Sequence, residues 1–210
     1  MSLDRIDEVV KAERSQHPAI VEVLAQAFDQ DPIMQYFYTS KKESRLHRLQ
    51  WLSQLVVNYC EPYEQIYTTT NGLKGCAVWL PPEGFPMDMF RLLRLGFYQF
   101  PLKVQWNRIG EFFKIFNEME HFHLEDMPNP HWYLFMLGVS PDFQGRGVGS
   151  DLIHPVLEQS DREGVPCYLE TSTERGVKFY QKHGFEVLRT DQLSTHAPRY
   201  WTMKRDPQTS

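Results

Sequence analysis

Apolar residues recur along the chain in two rhythms. From Ser44 to about Cys60, Leu49, Leu52, Val56 and Tyr59 return at three- and four-residue steps, the repeat of a helix with one buried face. Such a face needs a sheet to cover. Gln65 to Thr69 and Gly75 to Leu80 are β-rich runs joined by Asn71-Gly72, a dipeptide suited to a hairpin turn, and Pro81-Pro82 ends the second run. His131 to Val139 is an almost unbroken apolar and aromatic run, too uniform for a half-exposed edge, and predicts a central strand.

The remaining elements follow from their punctuation. Val9 to Ala12 predicts a short strand, Ser15 an N-cap, and Pro18 the first turn of a helix through Phe28, while Asp31 and Pro32 open another short helix. Past the central strand, Leu152, Ile153, Val156 and Leu157 mark a buried helix face that ends at Gly164, with Pro166 reinforcing the stop. Pro155 inside that helix costs about 3 kcal/mol if it removes an interior hydrogen bond, so a kink or a displaced start is expected. Cys167 to Glu170 reads as a strand, Thr171 with Glu174 as a capping box, and a helix runs to Gly184 before two closing strands, Phe185 to Leu193 and Arg199 to Lys204. Residues 84–130 are less regular, with helical runs near 88–98 and 103–122 and ten aromatic residues from Phe85 to Phe122. Most of these rings are expected to pack the segment onto the core, a few to line a pocket.

Strands alternating with helices place the chain in the α/β class. At 210 residues and 41% hydrophobic content it has material for one sizeable core, read as a single domain over 1–210 with an insertion at about 84–130. A net charge of −5 gives no pull toward nucleic acid or an anionic membrane, and neither partner is expected. Cys60, Cys76 and Cys167 are odd in number and far apart, suggesting neither a disulfide framework nor a zinc site and fitting a reducing cytoplasm. The first residues are charged and no apolar run is long enough for a bilayer, so a cytoplasmic protein is expected. His121, His123 and His131 lack the carboxylate spacing of a metal site, and no metal is expected.

The chemistry concentrates in GVSPDFQGRGVGS, residues 138–150. Glycines between a strand and a helix let backbone N–H groups converge on an anion at the positive end of the helix dipole, so the loop reads as a pyrophosphate seat. It reads equally as a plain turn, and Arg146 as an added charge or a solvated side chain. The loop is not a P-loop, since Ser150 and Asp151 follow Gly149 where a Lys and a Ser or Thr belong, and its G-x-G-x-G spacing is not that of a dinucleotide fingerprint.

Gln144, Gly147 and Gly149, set between the strand LFMLGVSP and a helix and followed by FYQKHGF at 179–185, resemble the acetyl-CoA motif of the GNAT superfamily of N-acetyltransferases. LGVSPDFQGRGVGS, GVPCYLETS, FYQKHGF, AVWLPPE and APRYWTM are most similar to the puromycin N-acetyltransferase branch and its uncharacterised relatives. The resemblance is dense from Trp132 to Leu188 and slight over 84–130. It implies a GNAT-like fold: a mixed central sheet with splayed parallel strands and flanking helices, with acetyl-CoA as co-substrate. Leu137, Gly138 and Val139 would meet pantetheine, and Gln144, Gly145, Arg146, Gly147, Val148, Gly149 and Ser150 would hold the pyrophosphate. Many relatives carry an asparagine seven residues before the motif tyrosine, where this chain has Thr173.

By the same resemblance Tyr180 would protonate the departing sulfur; without it, Tyr180 reads as a packed helix residue. Glu170, at a strand end beside the implied gap, is the best-placed carboxylate for taking a proton from the amine, although it would equally serve to cap the next helix; His131 is a weaker candidate. The expected activity is acetyl transfer to a small primary amine, against the alternatives of a protein or peptide acceptor and a non-catalytic acyl-CoA sensor. A homodimer is left open.

Overall fold

The computed structural model describes residues 8–38, 41–192 and 197–208. Its centre is a seven-stranded mixed sheet of β1 (Val9–Lys11), β2 (Ile66–Thr69), β3 (Gly75–Leu80), β4 (Trp132–Val139), β5 (Cys167–Thr171), β6 (Glu186–Asp191) and β7 (Tyr200–Arg205), ordered β1-β2-β3-β4-β5-β7-β6. The helices are α1 (His17–Ala27), α2 (Pro32–Phe37), α3 (Lys42–Cys60), α4 (Met89–Arg94), α5 (Phe100–Lys103), α6 (Ile109–Asp126), α7 (Val148–Glu163) and α8 (Glu174–Gln181).

The two-residue period of β3 explains why helices cover both faces. Cys76, Val78 and Leu80 pack with Ile20 and Leu24 of α1 and Val56 and Tyr59 of α3, whereas Ala77 and Trp79 pack with Leu152, Ile153 and Val156 of α7. β2 and β3 form the hairpin expected from Asn71-Gly72, with Gly72 at φ 85°. β4 lies in the middle, where a strand buried on both faces must be apolar throughout. A third cluster joins Phe37 of α2 and Leu49 of α3 to Phe100 of α5, Ile115 of α6 and Tyr200 of β7. It is there that the aromatic segment packs onto the sheet.

Only Trp132↔Cys167 and Tyr133↔Tyr168 join β4 to β5 in parallel, so the two strands pair at their starts and part beyond them. The other edge of β4 pairs with β3 as far as Val139. Beyond Thr171 the chain turns into α8, leaving the facing edge of β4 open.

Several details differ from the sequence expectations. Ser15 lies in a short 3-10 turn, and Glu13 and Gln16 cap one another ahead of α1. The cap of α8 is Thr173, whose hydroxyl accepts from Gly176 N at 3.0 Å, because Thr171 is still held in β5 opposite Trp201. α7 runs through Pro155 from Val148 to Glu163, with the carbonyl opposite the missing N–H belonging to the exposed Asp151. β7 inserts between β5 and β6, an order no local pattern indicates. The predicted end of the first closing strand, Leu193, lies outside the described residues.

Candidate active site

One cavity of about 1010 Å³ runs from the parting of β4 and β5 to the aromatic segment. Its mouth is the loop before α7. Gly145 and Gly147 have φ of 75° and 89°, and nothing lies within 4 Å of where a Cβ would stand on either. Glycine is therefore required there by backbone conformation, and the space in front is open. Gly147 caps α7 with its carbonyl, accepting from Ser150 N at 2.8 Å and Asp151 N at 3.1 Å, which leaves the Val148 and Gly149 amides at the helix start without intrahelical acceptors. Gly149 has a different reason to be glycine, since a Cβ there would meet Phe179 Cζ at 3.3 Å. Converging amides, a helix N-terminus of sixteen residues and an open front fit a diphosphate.

Side chains brace the mouth. Gln144 donates from Nε2 to the Val139 carbonyl at 3.1 Å and accepts from Arg175 Nη1 at 3.4 Å, while Ser150 Oγ lies 2.9 Å from His183 Nε2. Burial holds the His183 imidazole below its ordinary pKa, so it stays neutral, and Arg175 and Lys182 supply positive charge on the cavity lining. Of the residues expected at the co-substrate, Leu137, Val139, Gln144, Gly145, Gly147, Val148, Gly149 and Ser150 line the cavity. Arg146 and Gly138 are not on its lining. The Arg146 guanidinium lies 5.6 Å from the Phe143 ring, and Gly138 packs against α1, where a Cβ would come within 2.9 Å of Leu24 Cδ2 and 3.0 Å of Ala27 Cβ.

Deeper in, the two expected catalytic side chains share the cavity. Tyr180, from α8, is buried, and burial raises its phenol well above the ordinary value, so it keeps its proton at neutral pH. Glu170, near the end of β5, has a side chain 12% exposed and a carboxyl raised to about 7, mainly by desolvation. Tyr133 donates from its hydroxyl to Glu170 Oε2 at 2.7 Å, which partly offsets that rise. Glu170 therefore does not cap α8; Thr173 does.

Two participants, Tyr133 and Asp31, escaped the sequence reading, as did the meeting of His123 with His131. Tyr133 was visible only as one ring in an apolar strand. Asp31, read as a helix opener, does accept from Met34 N at 3.0 Å, but its other oxygen accepts from Ser172 Oγ across the cavity and burial raises its carboxyl. Its -D-P- context signals a cap and nothing more. His123 and His131, eight residues apart, meet at 2.7 Å between their Nε2 atoms because α6 folds back onto the start of β4. Among the described residues no group of three or more His, Cys, Asp or Glu is placed to hold a metal, and no helix is long and apolar enough to cross a membrane.

Known proteins share this architecture. The family model described as the acetyltransferase (GNAT) domain matches residues 111–187, the stretch that carries α6, the glycine loop, Glu170 and Tyr180. An uncharacterized N-acetyltransferase of Schizosaccharomyces pombe is 26% identical over 179 residues, 83% of this chain and 72% of that one. Among solved structures, a histone acetyltransferase HPA2 and related acetyltransferase of Corynebacterium glutamicum superposes with a TM-score of 0.64 at 21% identity, covering 97% of this chain and 98% of that one. Arylalkylamine N-acetyltransferase 2 of Aedes aegypti gives 0.62 at 12% identity, covering 96% and 99%. At such identities the structural likeness is one of fold, and the fold is that of the GNAT acetyltransferases. The likeness to the acetyltransferase (GNAT) domain extends over residues 111–187, a little over a third of the chain, and that to the yeast relative over most of it.

Proposed function

We propose that the protein transfers the acetyl group of acetyl-CoA to the primary amine of a small molecule with an apolar body. The observation that carries this reading is a single cavity with an amide-lined diphosphate seat at one end and a buried, proton-accepting carboxylate at the other. Acetyl-CoA supplies the acetyl thioester. Gly145 to Ser150 are suited to hold its diphosphate, and the unpaired edge of β4 from Leu134 to Val139 offers backbone groups to its pantetheine amides. The motifs shared with the puromycin N-acetyltransferase branch suggest kinship there, but residues 84–130 do not follow that enzyme, so puromycin is not the proposed acceptor.

The acceptor end favours an amine by its composition. Phe97, Phe100, Phe112 and Phe116 supply an apolar wall, and Asp31, Glu120 and Glu170 supply carboxyl groups toward a cation. An enclosed aromatic wall suits a compact molecule better than an extended peptide.

The chemistry balances as follows. Glu170 takes one proton from the alkylammonium, the freed nitrogen forms a C–N bond to the acetyl carbon as the carbonyl π pair moves onto oxygen, and the C–S bond breaks as that carbonyl re-forms. The sulfur keeps the bonding electron pair and receives a proton from Tyr180. The second amine proton leaves as the amide forms, replacing the one Tyr180 gave, and Glu170 returns its proton to solvent. A backbone N–H near Val139 is suited to steady the oxyanion.

A panel of primary amines with acetyl-CoA, followed by released thiol, tests this. Turnover of small apolar amines is expected. Acetylation of peptides alone would replace the acceptor assignment, and CoA binding without product on any amine or peptide would mark a sensor.

A further inference from the structure

His123 is fixed more firmly than a packing residue needs to be. Its ring lies between Phe85, with centroids 3.8 Å apart, and Tyr168, at 4.1 Å, both stacked within 20° of parallel. Its Nε2 lies 2.7 Å from His131 Nε2, and His131 Nδ1 lies 2.9 Å from the Asn129 carbonyl. Both histidines are only 2% exposed.

This chain of contacts dictates the tautomers. A carbonyl oxygen only accepts, so His131 carries its proton on Nδ1. Burial keeps His131 neutral, so its Nε2 is a bare acceptor, and His123 must donate to it from its own Nε2. Burial and the neighbouring His131 hold His123 neutral as well, with its pKa lowered to about 2. The remaining nitrogen, His123 Nδ1, is left with a lone pair, and it lies 3.8 Å from Oε1 of Glu170.

A bare imidazole nitrogen beside a carboxylate is unfavourable; beside a carboxylic acid it is a hydrogen-bond acceptor. On the proposed role of Glu170 as the base, we infer that His123 is a positioning residue whose Nδ1 receives the hydrogen bond from Glu170 once Glu170 has collected the proton of the acceptor amine. His131 fixes the tautomer that makes this a one-way arrangement.

The other groups around Glu170 fit that division of labour. Tyr133 from β4 donates to the opposite carboxyl oxygen and favours the charged form, while the buried hydroxyl of Tyr168, on β5 itself, has no hydrogen-bond partner among the described residues. Asp126 from α6 disfavours that form, but both its oxygens are engaged, by Arg189 Nε of β6 at 2.5 Å and Thr202 Oγ1 of β7 at 2.7 Å. Tyr200 of β7, whose buried hydroxyl has no partner among the described residues, completes the surroundings without a charge. His123 is thus the neighbour that turns from repulsive to attractive when Glu170 is protonated.

The test joins kinetics to a direct view of the imidazole. His123→Phe keeps a ring between Phe85 and Tyr168 and removes the acceptor, while His131→Phe releases the tautomer, letting His123 donate to Glu170 from Nδ1. Both are expected to move the acid limb of the kcat/KM–pH profile down by about one unit or more, and His123→Asn, which keeps an oxygen near the Nδ1 position, to restore part of it. In the unaltered protein, 15N shifts of His123 are expected to show a protonated Nε2 and a bare Nδ1 at neutral pH. A uniform fall in rate with the limb unmoved, or a protonated Nδ1 beside an ionised Glu170, would overturn the inference. If no amine is acetylated at all, the transferase reading fails by itself. The 15N spectrum and a 13C titration of the Glu170 carboxyl in both Phe variants still decide the role of His123.

Discussion

The hydroxyl of Tyr133 donates to Oε2 of Glu170 at 2.7 Å, and the two residues belong to strands that have just ceased to pair. Tyr133 is in the last parallel pair of β4 with β5, opposite Tyr168, and Glu170 stands two residues further on. The parting that opens a channel thus also leaves a carboxyl group at its apex, out of water and steadied by one phenol.

That burial carries a stability signature. The Glu170 carboxyl moves from an ordinary 4.5 to about 7 in the folded protein, so the native state binds this proton more tightly than the unfolded chain. Stability then falls as pH rises from about 4.5 to 7, and the full penalty persists above that. Glu170→Gln is expected to raise stability at pH 8 by about 1 to 3 kcal/mol and to gain little at pH 4, read by thermal melts at both values. The same variant should lower kcat/KM for a primary amine by about 10² to 10⁴. An unstabilised, fully active variant would remove Glu170 from both roles.

Tyr180→Phe should lower kcat by about 10-fold to 10²-fold while CoA affinity, measured by calorimetry, stays within a factor of a few. A thiol is a far better leaving group than an alkoxide, with cysteine titrating at about 8.5, so complete inactivation is not expected. An unchanged kcat would return Tyr180 to packing.

Gly147→Val sets a β-branched residue at φ 89° and projects its side chain into the open front of the amide seat. CoA binding is expected to be lost on a folded variant, as judged by circular dichroism and calorimetry. Gly149→Ala fails for another reason, pressing Phe179 away from α7, and should show mainly as a lower melting temperature.

Gly138→Ala probes the sheet and not the ligand. The added methyl meets Leu24 Cδ2 at 2.9 Å and Ala27 Cβ at 3.0 Å, overpacking the α1 face by about 1 to 3 kcal/mol. A drop of roughly 2 to 4 °C per kcal/mol is expected in the melting temperature. An unchanged melting temperature would mean that α1 yields freely.

Much of this architecture is already determined by the linear order of residues. The apolar run from Trp132, the Asn71-Gly72 hairpin and the glycines before α7 owe their conformations to local preferences: a strand buried on both faces, a left-handed turn, and φ values that favour glycine. That is why the strand, the hairpin and the loop stand where the sequence placed them, and why Glu170 and Tyr180 lie in one cavity with most of the expected loop residues. Tertiary structure alone decided the rest. Nothing within a few residues of Asp31 announces Ser172, and nothing near His123 announces Glu170, because those contacts join elements that meet only after α2 and α6 fold across the sheet. The insertion of β7 between β5 and β6 is of the same kind, set by which edges remain unpaired once the sheet assembles. Local sequence fixes backbone conformation, whereas the burial and partners that tune a carboxyl group come from distant segments brought into contact.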